Sequence, residues 1–595
     1  MSGDFTYEQK RWLEGFASGS AAVQALNGAA AARSATSGGV AEPTGPDATM
    51  IKAQDRAIDA GKKLADPERW KRAEHPLDAY ARLSAAARAG QYPKPDDEFR
   101  WRYHGLFYAA PAQNAFMCRV RLPNGILNHW QLASLADLAD QYAGGYADIT
   151  TRAGLQLREI APANAPALLE ALQLVGLCAK GSGADNIRNV TGSPVAGIDA
   201  QELIDTRALA RAWHFHVLND RSLYALPRKF NVAFDGGGVI PVLEETNDIG
   251  FAAVAVREGA ALDACVWMKV LIGGVTGHKQ IARDAGLLCR PEDCTAVADA
   301  IVRVFIEHGD RSDRNKARLK HLVERVGFER FISSVEEKLG RPLARAGADD
   351  IAPRAGVDRS AHLGAHAQKQ AGLNWIGVAV PVGRLASAQM RGVAAIARDC
   401  GDGDVRLTVW QNLILSGVPD AEAASAEARI AGLRLSTRRS GLNAGLIACT
   451  GNTGCKLAAA DTKAHALQIN EHVEARFALD VPLNIHVTGC HHSCAQHFIA
   501  DIGLKAVKVP INDDGDTVEG YDVVLGGGFA AGAKIGCELW TGVKAETCPA
   551  RIESLLRLYL TRRRDGEGFQ AFAARHTVEE LRSLFEEALR LEAVA

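Results

Sequence analysis

The sequence repeats itself over a distance of about half its length. The segments RLPNG and VPVG place Pro123 over Pro381, 258 residues later, and the same offset places Thr150 over Thr408. The offset also aligns Gly125 with Gly383, Gln131 with Gln389 and Leu157 with Leu415. A constant offset predicts two copies of a strand–turn–helix–strand unit. The period is far longer than the roughly 20–50 residues of a solenoid repeat, so it indicates two similar halves with a site between them.

A second, weaker repeat follows each copy. NDIGF, beginning at Asn247, resembles ADIGL, beginning at Ala500, 253 residues later, and LIGG from Leu271 resembles LGGG from Leu525 with an offset of 254. Each half therefore combines a small α+β module with a larger one. We predict small modules at 76–175 and 346–435, larger modules at 176–345 and 436–595, and an N-terminal helical extension with a flexible linker at 1–75.

Local patterns refine the N-terminal prediction. Residues from Phe5 to about Leu26 have helical periodicity. From Asn27 to about Asp47 the chain is rich in Ala, Gly, Ser and Thr and contains two prolines, which predicts a flexible linker. A further helix is predicted over Tyr80–Arg88.

Composition excludes several classes of function. A length of 595 residues suggests two to four domains. The net charge is −2, from 68 basic and 70 acidic residues, which gives no reason to expect nucleic acid or a membrane surface as a partner. No apolar run approaches the roughly 20 residues of a membrane helix. The N-terminus lacks the apolar stretch of a secretory signal, so we expect a cytoplasmic protein.

Four of the twelve cysteines form two close pairs, Cys449-x5-Cys455 and Cys490-x3-Cys494. In a reducing cytoplasm, clustered cysteines more often indicate metal or redox chemistry than disulfides. Four thiolates can bind an iron–sulfur cubane. The glycines within and beside these pairs let the backbone approach such a cluster closely.

Other interpretations of the cysteines stay open at this point. A zinc ion could take all four thiolates, although structural zinc usually has a spacing of C-x2–4-C and x5 is unusual. Unliganded cysteines packed in a core are also possible. A Rieske centre needs Cys/His pairs in both segments, and CTGNTGC contains no histidine.

The two cysteine motifs together with the long repeat resemble the siroheme and 4Fe–4S nitrite/sulfite reductases, in particular the ferredoxin-dependent assimilatory nitrite reductases. The resemblance covers residues 75–590 approximately. It implies an α+β, pseudo-two-fold duplicated fold, with paired ferredoxin-like modules and two larger siroheme- and cluster-binding modules. It also implies siroheme and a 4Fe–4S cluster as cofactors, with Cys494 as the ligand that joins the cluster to the siroheme iron.

The resemblance further implies roles for polar residues within recognisable motifs. Arg119, Arg188 and Lys229 match positions that bind the anionic substrate and supply protons. Siroheme carries many carboxylates, so its pocket must be rich in basic groups. The residues predicted to bind siroheme are Arg152, Gln156, Arg228, Arg311, Arg318, Gln411 and Asn412.

The choice between nitrite and sulfite depends on the residue two positions after Lys229. Sulfite reductases of this family typically have a second lysine there, whereas nitrite reductases have an asparagine. This chain has Asn231, which is neutral and can donate and accept hydrogen bonds. The sequence therefore predicts a six-electron reduction of nitrite to ammonium. Alternatives are sulfite reduction, a precorrin-3B synthase-like oxygenase and a non-catalytic zinc-binding module.

The electron source is predicted to be a separate protein. The segment GGGFAAGAKIG is rich in glycine but lacks the G-x-G-x-x-G spacing of a dinucleotide site. The resemblance suggests a small acidic ferredoxin that docks transiently by electrostatic steering. We expect the enzyme itself to be a monomer.

Overall fold

The structure is a computed structural model that describes residues 42–594. The predicted helix over Phe5–Leu26 and most of the predicted linker lie outside these residues. The helix predicted over Tyr80–Arg88 is confirmed with the same bounds. Within residues 42–594, no helix combines the length and apolar character needed to cross a membrane.

Helices cover both halves of the chain. Those of the described residues are α1 (Ala48–Asp59), α2 (Asp66–Ala73), α3 (Tyr80–Arg88), α4 (Pro95–Trp101), α5 (His129–Tyr142), α6 (Ala165–Leu174), α7 (Arg207–Asn219), α8 (Cys294–His308), α9 (Leu319–Val326), α10 (Phe328–Leu339), α11 (Ser387–Cys400), α12 (Ala423–Gly432), α13 (Thr462–Glu474), α14 (Cys548–Arg562), α15 (Phe569–Ala574) and α16 (Val578–Val594).

The described strands form four sheets, two in each half. In spatial order, sheet 1 contains β1 (Leu106–Tyr108), β2 (Phe116–Val120), β5 (Leu155–Ile160), β4 (Tyr146–Ile149) and β14 (Arg384–Ala386). Sheet 2 contains β11 (Ala344–Arg345), β10 (Arg283–Cys289), β9 (Val266–Ile272), β8 (Ile249–Ala255), β7 (Val232–Asp235) and β6 (Thr191–Gly192). Sheet 3 contains β12 (Gly364–Ala367), β13 (Leu373–Val378), β16 (Leu413–Pro419), β15 (Asp404–Leu407) and β3 (Ile126–Asn128). Sheet 4 contains β17 (Leu446–Ala448), β18 (Ile485–Thr488), β19 (Ile502–Pro510), β20 (Thr517–Leu525) and β21 (Cys537–Lys544).

The two small modules exchange one edge strand with each other. Strand β14 of the second copy completes sheet 1 beside β4, and β3 of the first copy completes sheet 3 beside β15. Helices α5 and α11 pack against each other, and one hydrophobic core contains residues of both copies, such as Leu135 and Val393. The two copies are therefore one structural unit, and the predicted pseudo-two-fold arrangement is confirmed.

The repeated glutamines show why the sequence period is preserved. Gln131 closes a capping box at the start of α5 by accepting a hydrogen bond from the backbone N–H of Asn128, at 3.2 Å. Its amide also donates to the carbonyl of Val175 at 3.1 Å. In the second copy, Gln389 makes the equivalent bonds, 3.0 Å from Ala386 N and 3.1 Å to Leu433 O. In each copy, one glutamine thus caps a helix and also binds the backbone just after the next helix, α6 or α12.

The larger modules are duplicated at the level of single hydrogen bonds. The backbone N–H of Asn231 donates to Asp248 Oδ2 at 2.9 Å, and that of Asn484 donates to Asp501 Oδ2 at 2.8 Å. Both pairs are buried, and each lies 253 residues from its counterpart. The weaker repeat therefore marks an aspartate that ties together adjacent parallel strands, β7 with β8 and β18 with β19.

Helices α1 and α2 pack on the first larger module. Met50 of α1 belongs to the hydrophobic core of that module. The carboxylate of Glu68 on α2 accepts hydrogen bonds from Gln54 at 2.9 Å and from Arg311 at 2.7 Å. These two helices, which belong to the predicted segment 1–75, therefore contact the first larger module through an apolar residue of α1 and an ion pair of α2.

A buried histidine makes stability sensitive to acid. His362 is stacked on Trp410 with ring centroids 5.7 Å apart, and its Nε2 lies 2.9 Å from the carbonyl of Ala444. Burial lowers the pKa of His362 to about 4. As the pH falls, His362 is therefore protonated in the unfolded chain at a higher pH than in the folded protein. The free energy of unfolding should consequently fall by up to about 1.4 kcal/mol per pH unit between pH 6.5 and 4.

Urea unfolding at pH 7, 6 and 5 checks this prediction. The variant His362→Gln should be less stable at pH 7 but lose less stability on acidification than the wild type. Equal losses in the two proteins would contradict the assignment.

Candidate active site

The four clustered cysteines lie where parallel strands of sheet 4 end. Cys449 directly follows β17, and Cys490 follows the adjacent parallel strand β18 by two residues. The carboxyl ends of neighbouring parallel strands meet at one edge of a sheet, where ligands commonly bind. The backbone N–H of Gly489 donates to Cys449 Sγ at 3.1 Å. A Cβ atom on Gly489 would lie 2.5 Å from the side chain of Ala458, so only glycine permits this approach.

Cys494 projects from a loop with unusual backbone geometry. Ser493 and Gln496 have φ angles of 52° and 58°, a region that residues other than glycine seldom adopt. The loop is fixed to the first half of the chain, because Thr151 Oγ1 donates to Cys494 O at 3.1 Å and the Gln496 amide donates to Thr246 Oγ1 at 2.9 Å. The thiol of Cys494 is exposed and unpaired. The loop thus presents Cys494 at the interface between the two halves.

The arrangement of the sulfurs suits a cluster better than a zinc ion. Tetrahedral zinc with Zn–S bonds of about 2.3 Å would hold its sulfurs about 3.8 Å apart. Among residues 42–594, the only group of three potential ligand atoms within 4.8 Å of one another is His216, Asp220 and Asp299. No three of the four cysteine sulfurs therefore lie as close together as a tetrahedral zinc ion would hold them. Burial raises the pKa of Cys490 to about 12.

Two predicted substrate-binding arginines converge on one carbonyl oxygen. Arg119 on β2 and Arg188 donate to Ser182 O at 3.3 Å and 2.6 Å. Arg188 also donates to Ala184 O at 2.7 Å, and the Arg119 guanidinium lies 4.6 Å from the centre of the Phe107 ring. The two guanidiniums are thus held side by side, and no carboxylate of the described chain forms an ion pair with either.

Five cations converge near Cys494 without carboxylate partners. Burial lowers the pKa values of all five, and repulsion from neighbouring guanidiniums lowers each of them further. The thiolate of Cys494 acts in the opposite direction on three of them, Arg119, Arg152 and Lys229. The group consists of Arg119, Arg152, Arg188, Arg228 and Lys229. Such a group is stabilised when anions bind beside Cys494.

Asn231 has a free acceptor beside Lys229. The two residues are separated by one position in an extended segment, so their side chains point to the same face. Asn231 is buried, and its Oδ1 has no hydrogen-bond partner in the described part of the chain. An unpaired buried carbonyl oxygen is costly, which indicates that a ligand or water completes it.

The residues predicted to bind siroheme fall into two groups. Arg152 bonds Asn247 Oδ1 at 3.1 Å and keeps most of its donors free, while Arg228 has a buried Nε without a partner. The other five form hydrogen bonds within the protein. The bonded pairs are Gln156 with Arg158, Arg311 with Glu68, Arg318 with Asp248, Gln411 with Ile149 and Ala448, and Asn412 with Val380. Arg152 and Arg228 thus retain free donors that suit the carboxylates of a tetrapyrrole.

Gln411 has a special position among the engaged residues. Its amide nitrogen donates to Ile149 O at 3.1 Å and Ala448 O at 3.0 Å, and its oxygen accepts from Ala448 N at 3.0 Å. It therefore fixes the residue that directly precedes Cys449. Its contacts position the start of the loop that carries Cys449 and Cys455.

Sequence reasoning missed several residues that shape the site. Asn247 orients Arg152, Asp248 pairs with Arg318 at 2.8 Å and 3.0 Å, and Thr151 anchors the Cys494 loop. A signal for Asp248 existed, because the weaker repeat contains an aspartate at this position in both halves. Thr151 adjoins the predicted Arg152, but its bond to a loop more than 300 residues away leaves no trace in the sequence.

Fold and site together define a redox enzyme that acts on an anion. The model of the nitrite and sulphite reductase 4Fe-4S domain matches residues 183–343 and 444–592, and that of the nitrite/sulfite reductase ferredoxin-like half domain matches 110–175 and 366–433. The chain belongs to the nitrite and sulphite reductase family. The predicted family and fold are therefore confirmed, and siroheme and a 4Fe–4S cluster are the cofactors that this membership implies.

Similar proteins carry related names. The ferredoxin–nitrite reductase of Synechococcus elongatus is 39% identical over 469 residues, which cover 78% of this chain and 89% of that relative. A protein of Mycolicibacterium paratuberculosis named sulfite reductase (ferredoxin) 1 is 31% identical and covers 88% of this chain and 97% of its own length. The solved structure of the Mycobacterium tuberculosis NirA protein matches with a TM-score of 0.80 at 29% identity, covering 88% of this chain and 99% of that one.

Proposed function

We propose that this protein is a ferredoxin-dependent assimilatory nitrite reductase that reduces nitrite to ammonium. The observation that carries the proposal is the group of five buried or half-buried cations near Cys494, none of which forms an ion pair with a described residue. Relatives named ferredoxin–nitrite reductase, at 37–39% identity over 74–81% of this chain, support it.

The four clustered cysteines would hold the 4Fe–4S cluster, and Cys494 would also ligate the siroheme iron. Arg152 and Arg228 would bind siroheme carboxylates, since both have free donors. Arg311, Arg318, Gln156, Gln411 and Asn412 would act as positioning residues. When bound, the two groups supply single electrons and an open iron site for the substrate.

The chain's own cations would bind the substrate and move protons. Reduction of one nitrite consumes six electrons and eight protons and yields one ammonium and two waters. Arg119 and Arg188 would hold the anion through paired N–H donors and stabilise negative charge as it develops. Lys229 would donate protons, because burial and the neighbouring Arg318 and Arg152 hold its pKa well below the usual value.

Asn231 would favour nitrite over sulfite. Nitrite has a single charge and a planar shape, and the free donors of the Asn231 amide can reach a bound anion without adding charge. A lysine here would add a sixth cation and suit the more highly charged sulfite. Sulfite reduction stays the second candidate, because the cation group suits either anion and one relative is named a sulfite reductase.

The primary test compares the two substrates directly. The purified holoenzyme, reduced with methyl viologen, should form ammonium from nitrite at least tenfold faster than sulfide from sulfite, and its visible spectrum should show a siroheme. A colourless protein with zinc and without iron would refute the proposal.

Substitution of Asn231 tests the specificity. The variant Asn231→Lys should lower the ratio of nitrite to sulfite turnover by about 10-fold, because a charge is added where the wild type has none. Asn231→Gln is the matched control, since it lengthens the side chain without charge and should change the ratio less. An unchanged ratio in the lysine variant would rule out this residue as the discriminator.

A ferredoxin would supply the electrons, and the enzyme would be a cytoplasmic monomer. All twelve cysteines are free, which supports a reducing compartment. Reduced ferredoxin should replace methyl viologen in turnover, with a rate that falls as salt is added because steering by charge is screened.

A further inference from the structure

A group of four charged residues, the Asp148 network, lies behind the loop that carries Cys449 and Cys455. Asp148, Arg158 and Lys463 are buried, and Arg384 is half-buried. The carboxylate of Asp148 on β4 accepts from Arg158 Nε and from Arg384 Nε, each at 2.9 Å. The ammonium of Lys463 lies 3.6 Å from Asp148 Oδ1 and donates to the carbonyl of Val382. Three cations therefore share one anion in the interior.

The Asp148 network contacts the cysteine loop directly. Arg158 donates through Nη2 to the hydroxyl of Thr450, and its Nη1 lies 2.9 Å from where a Cβ atom on Gly454 would be. Lys463 directly follows Thr462, whose hydroxyl donates to Cys449 O at 2.8 Å and lies 3.6 Å from Cys449 Sγ. The positive charges therefore lie against the backbone between two cluster ligands.

The surplus of positive charge is stable at neutral pH. Although burial opposes ionisation, Lys463, Arg384 and Arg158 lower the pKa of Asp148 to about 2. Burial lowers the pKa of Lys463, and Asp148 counteracts this effect. Hydrogen bonding to Asp148 raises the pKa of Arg384. Three cations thus face Asp148, and the carboxylate of Glu159, which also raises the pKa of Arg384, leaves a balance of one positive charge next to the cysteine loop.

The pseudo-symmetric position in the duplicated fold lacks this network, which provides an internal comparison. Strand pairing places Arg384 opposite Asp148, whereas the matching pair in the other exchange is Ile126 opposite Arg406. The position that matches Arg158, 258 residues later, is Ser416. The second residue of α7, Ala208, stands where α13 has Lys463, and the cation that begins α7, Arg207, is paired with Asp205. The Asp148 network, which joins residues of both halves beside the cysteines, therefore has no counterpart at the matching position of the other small module.

We propose that the Asp148 network raises the reduction potential of the cluster held by the four cysteines. The inference rests on the proposed function only in assuming that the cluster is bound. Reduction adds one negative charge to the cluster, and a surplus of positive charge in a low-dielectric interior stabilises the reduced form. The network would make the cluster a better acceptor for an electron donor.

The contributions of the three cations should differ with their exposure. The side chain of Lys463 is 8% exposed, whereas that of Arg384 is 40% exposed. Arg384 also lines a cavity of about 350 Å³ with Thr450 and Thr453, where water weakens its field. We expect removal of the Lys463 charge to have the larger effect.

A potentiometric titration of the holoenzyme, followed by the electron paramagnetic resonance signal of the reduced cluster, tests the proposal. Lys463→Met should shift the ratio of reduced to oxidised cluster about tenfold toward the oxidised form, which is about 59 mV for one electron. Arg384→Met should shift it in the same direction by less. Asp148→Asn should shift it toward the reduced form. Arg384→Lys retains the charge and should behave as the wild type.

The direction of the shifts separates an electrostatic effect from damage to the fold. Arg406→Met removes the buried cation at the position that matches Asp148 in sheet 3 and should leave the potential unchanged. If Asp148→Asn and Lys463→Met shift the potential in the same direction, or if Arg384→Lys shifts it as much as Arg384→Met, the proposal is overturned. Should Lys463→Met fail to retain iron, the two Arg384 variants and Asp148→Asn decide the matter. The potential is measured without nitrite, so failure of nitrite turnover tests the proposed function separately.

Discussion

Replacement of Cys494 by serine is expected to reduce nitrite turnover by more than about 100-fold while the protein remains folded. The thiol is exposed, and its loop is held by the bond from Thr151 to the backbone carbonyl, which serine retains. The loss should therefore come from the missing sulfur ligand beside Arg119 and Lys229. Turnover with methyl viologen, iron content and the visible spectrum measure the effect.

Cys537 provides a matched control for this substitution. It is also an exposed free cysteine, but it begins β21, outside the two cysteine motifs. Cys537→Ser should retain wild-type turnover and spectrum. A Cys494→Ser protein with more than half of the wild-type activity would show that this sulfur is not needed.

Replacement of Lys229 by methionine is expected to reduce nitrite turnover by about 100- to 10,000-fold, the range typical for loss of a general acid. Methionine fills a similar volume but cannot donate a proton. Lys229 forms no ion pair with another described residue, so its removal should affect stability little or even favourably, by relieving repulsion from Arg152 and Arg318. The maximal rate and the thermal unfolding temperature should be measured together.

The pattern of kinetic changes distinguishes proton donation from charge alone. Lys229→Arg retains the charge but is a far weaker acid, so it should bind nitrite with a nearly unchanged KM and still turn over slowly. Lys338→Met, which removes a surface lysine paired with Glu307, is the control and should behave as the wild type. If Lys229→Arg recovers full activity, Lys229 acts through its charge and does not donate the proton.

The sequence was sufficient to predict the duplication, because the repeat reflects bonds that both copies need. Gln131 and Gln389 make the same two hydrogen bonds, and Asp248 and Asp501 receive the same backbone N–H. The cysteine motifs could also be recognised, because the two cysteines of each pair lie close together along the chain. Features that are repeated in both halves, or that lie close together along the chain, can therefore be recognised in the sequence.

Contacts that join distant segments were beyond prediction from a single sequence. Arg311 was predicted to bind siroheme, but it pairs with Glu68 of an N-terminal helix, and the choice between the two depends on packing. Arg318 likewise forms an ion pair with Asp248. The sequence around an arginine looks the same whether its side chain binds a ligand or a carboxylate of the protein. Only the three-dimensional arrangement shows which of these cations lack a protein partner.

The exchange of β3 and β14 between the small modules constrains how the chain can mature during translation. Strand β4 leaves the ribosome long before β14, its partner at the edge of sheet 1. At roughly 5–20 residues per second, the edge of β4 stays uncovered for on the order of ten seconds or more. Uncovered edges invite pairing with other chains. The nascent polypeptide therefore passes through a period in which its first half is vulnerable to aggregation, until synthesis of the second half supplies the missing strand.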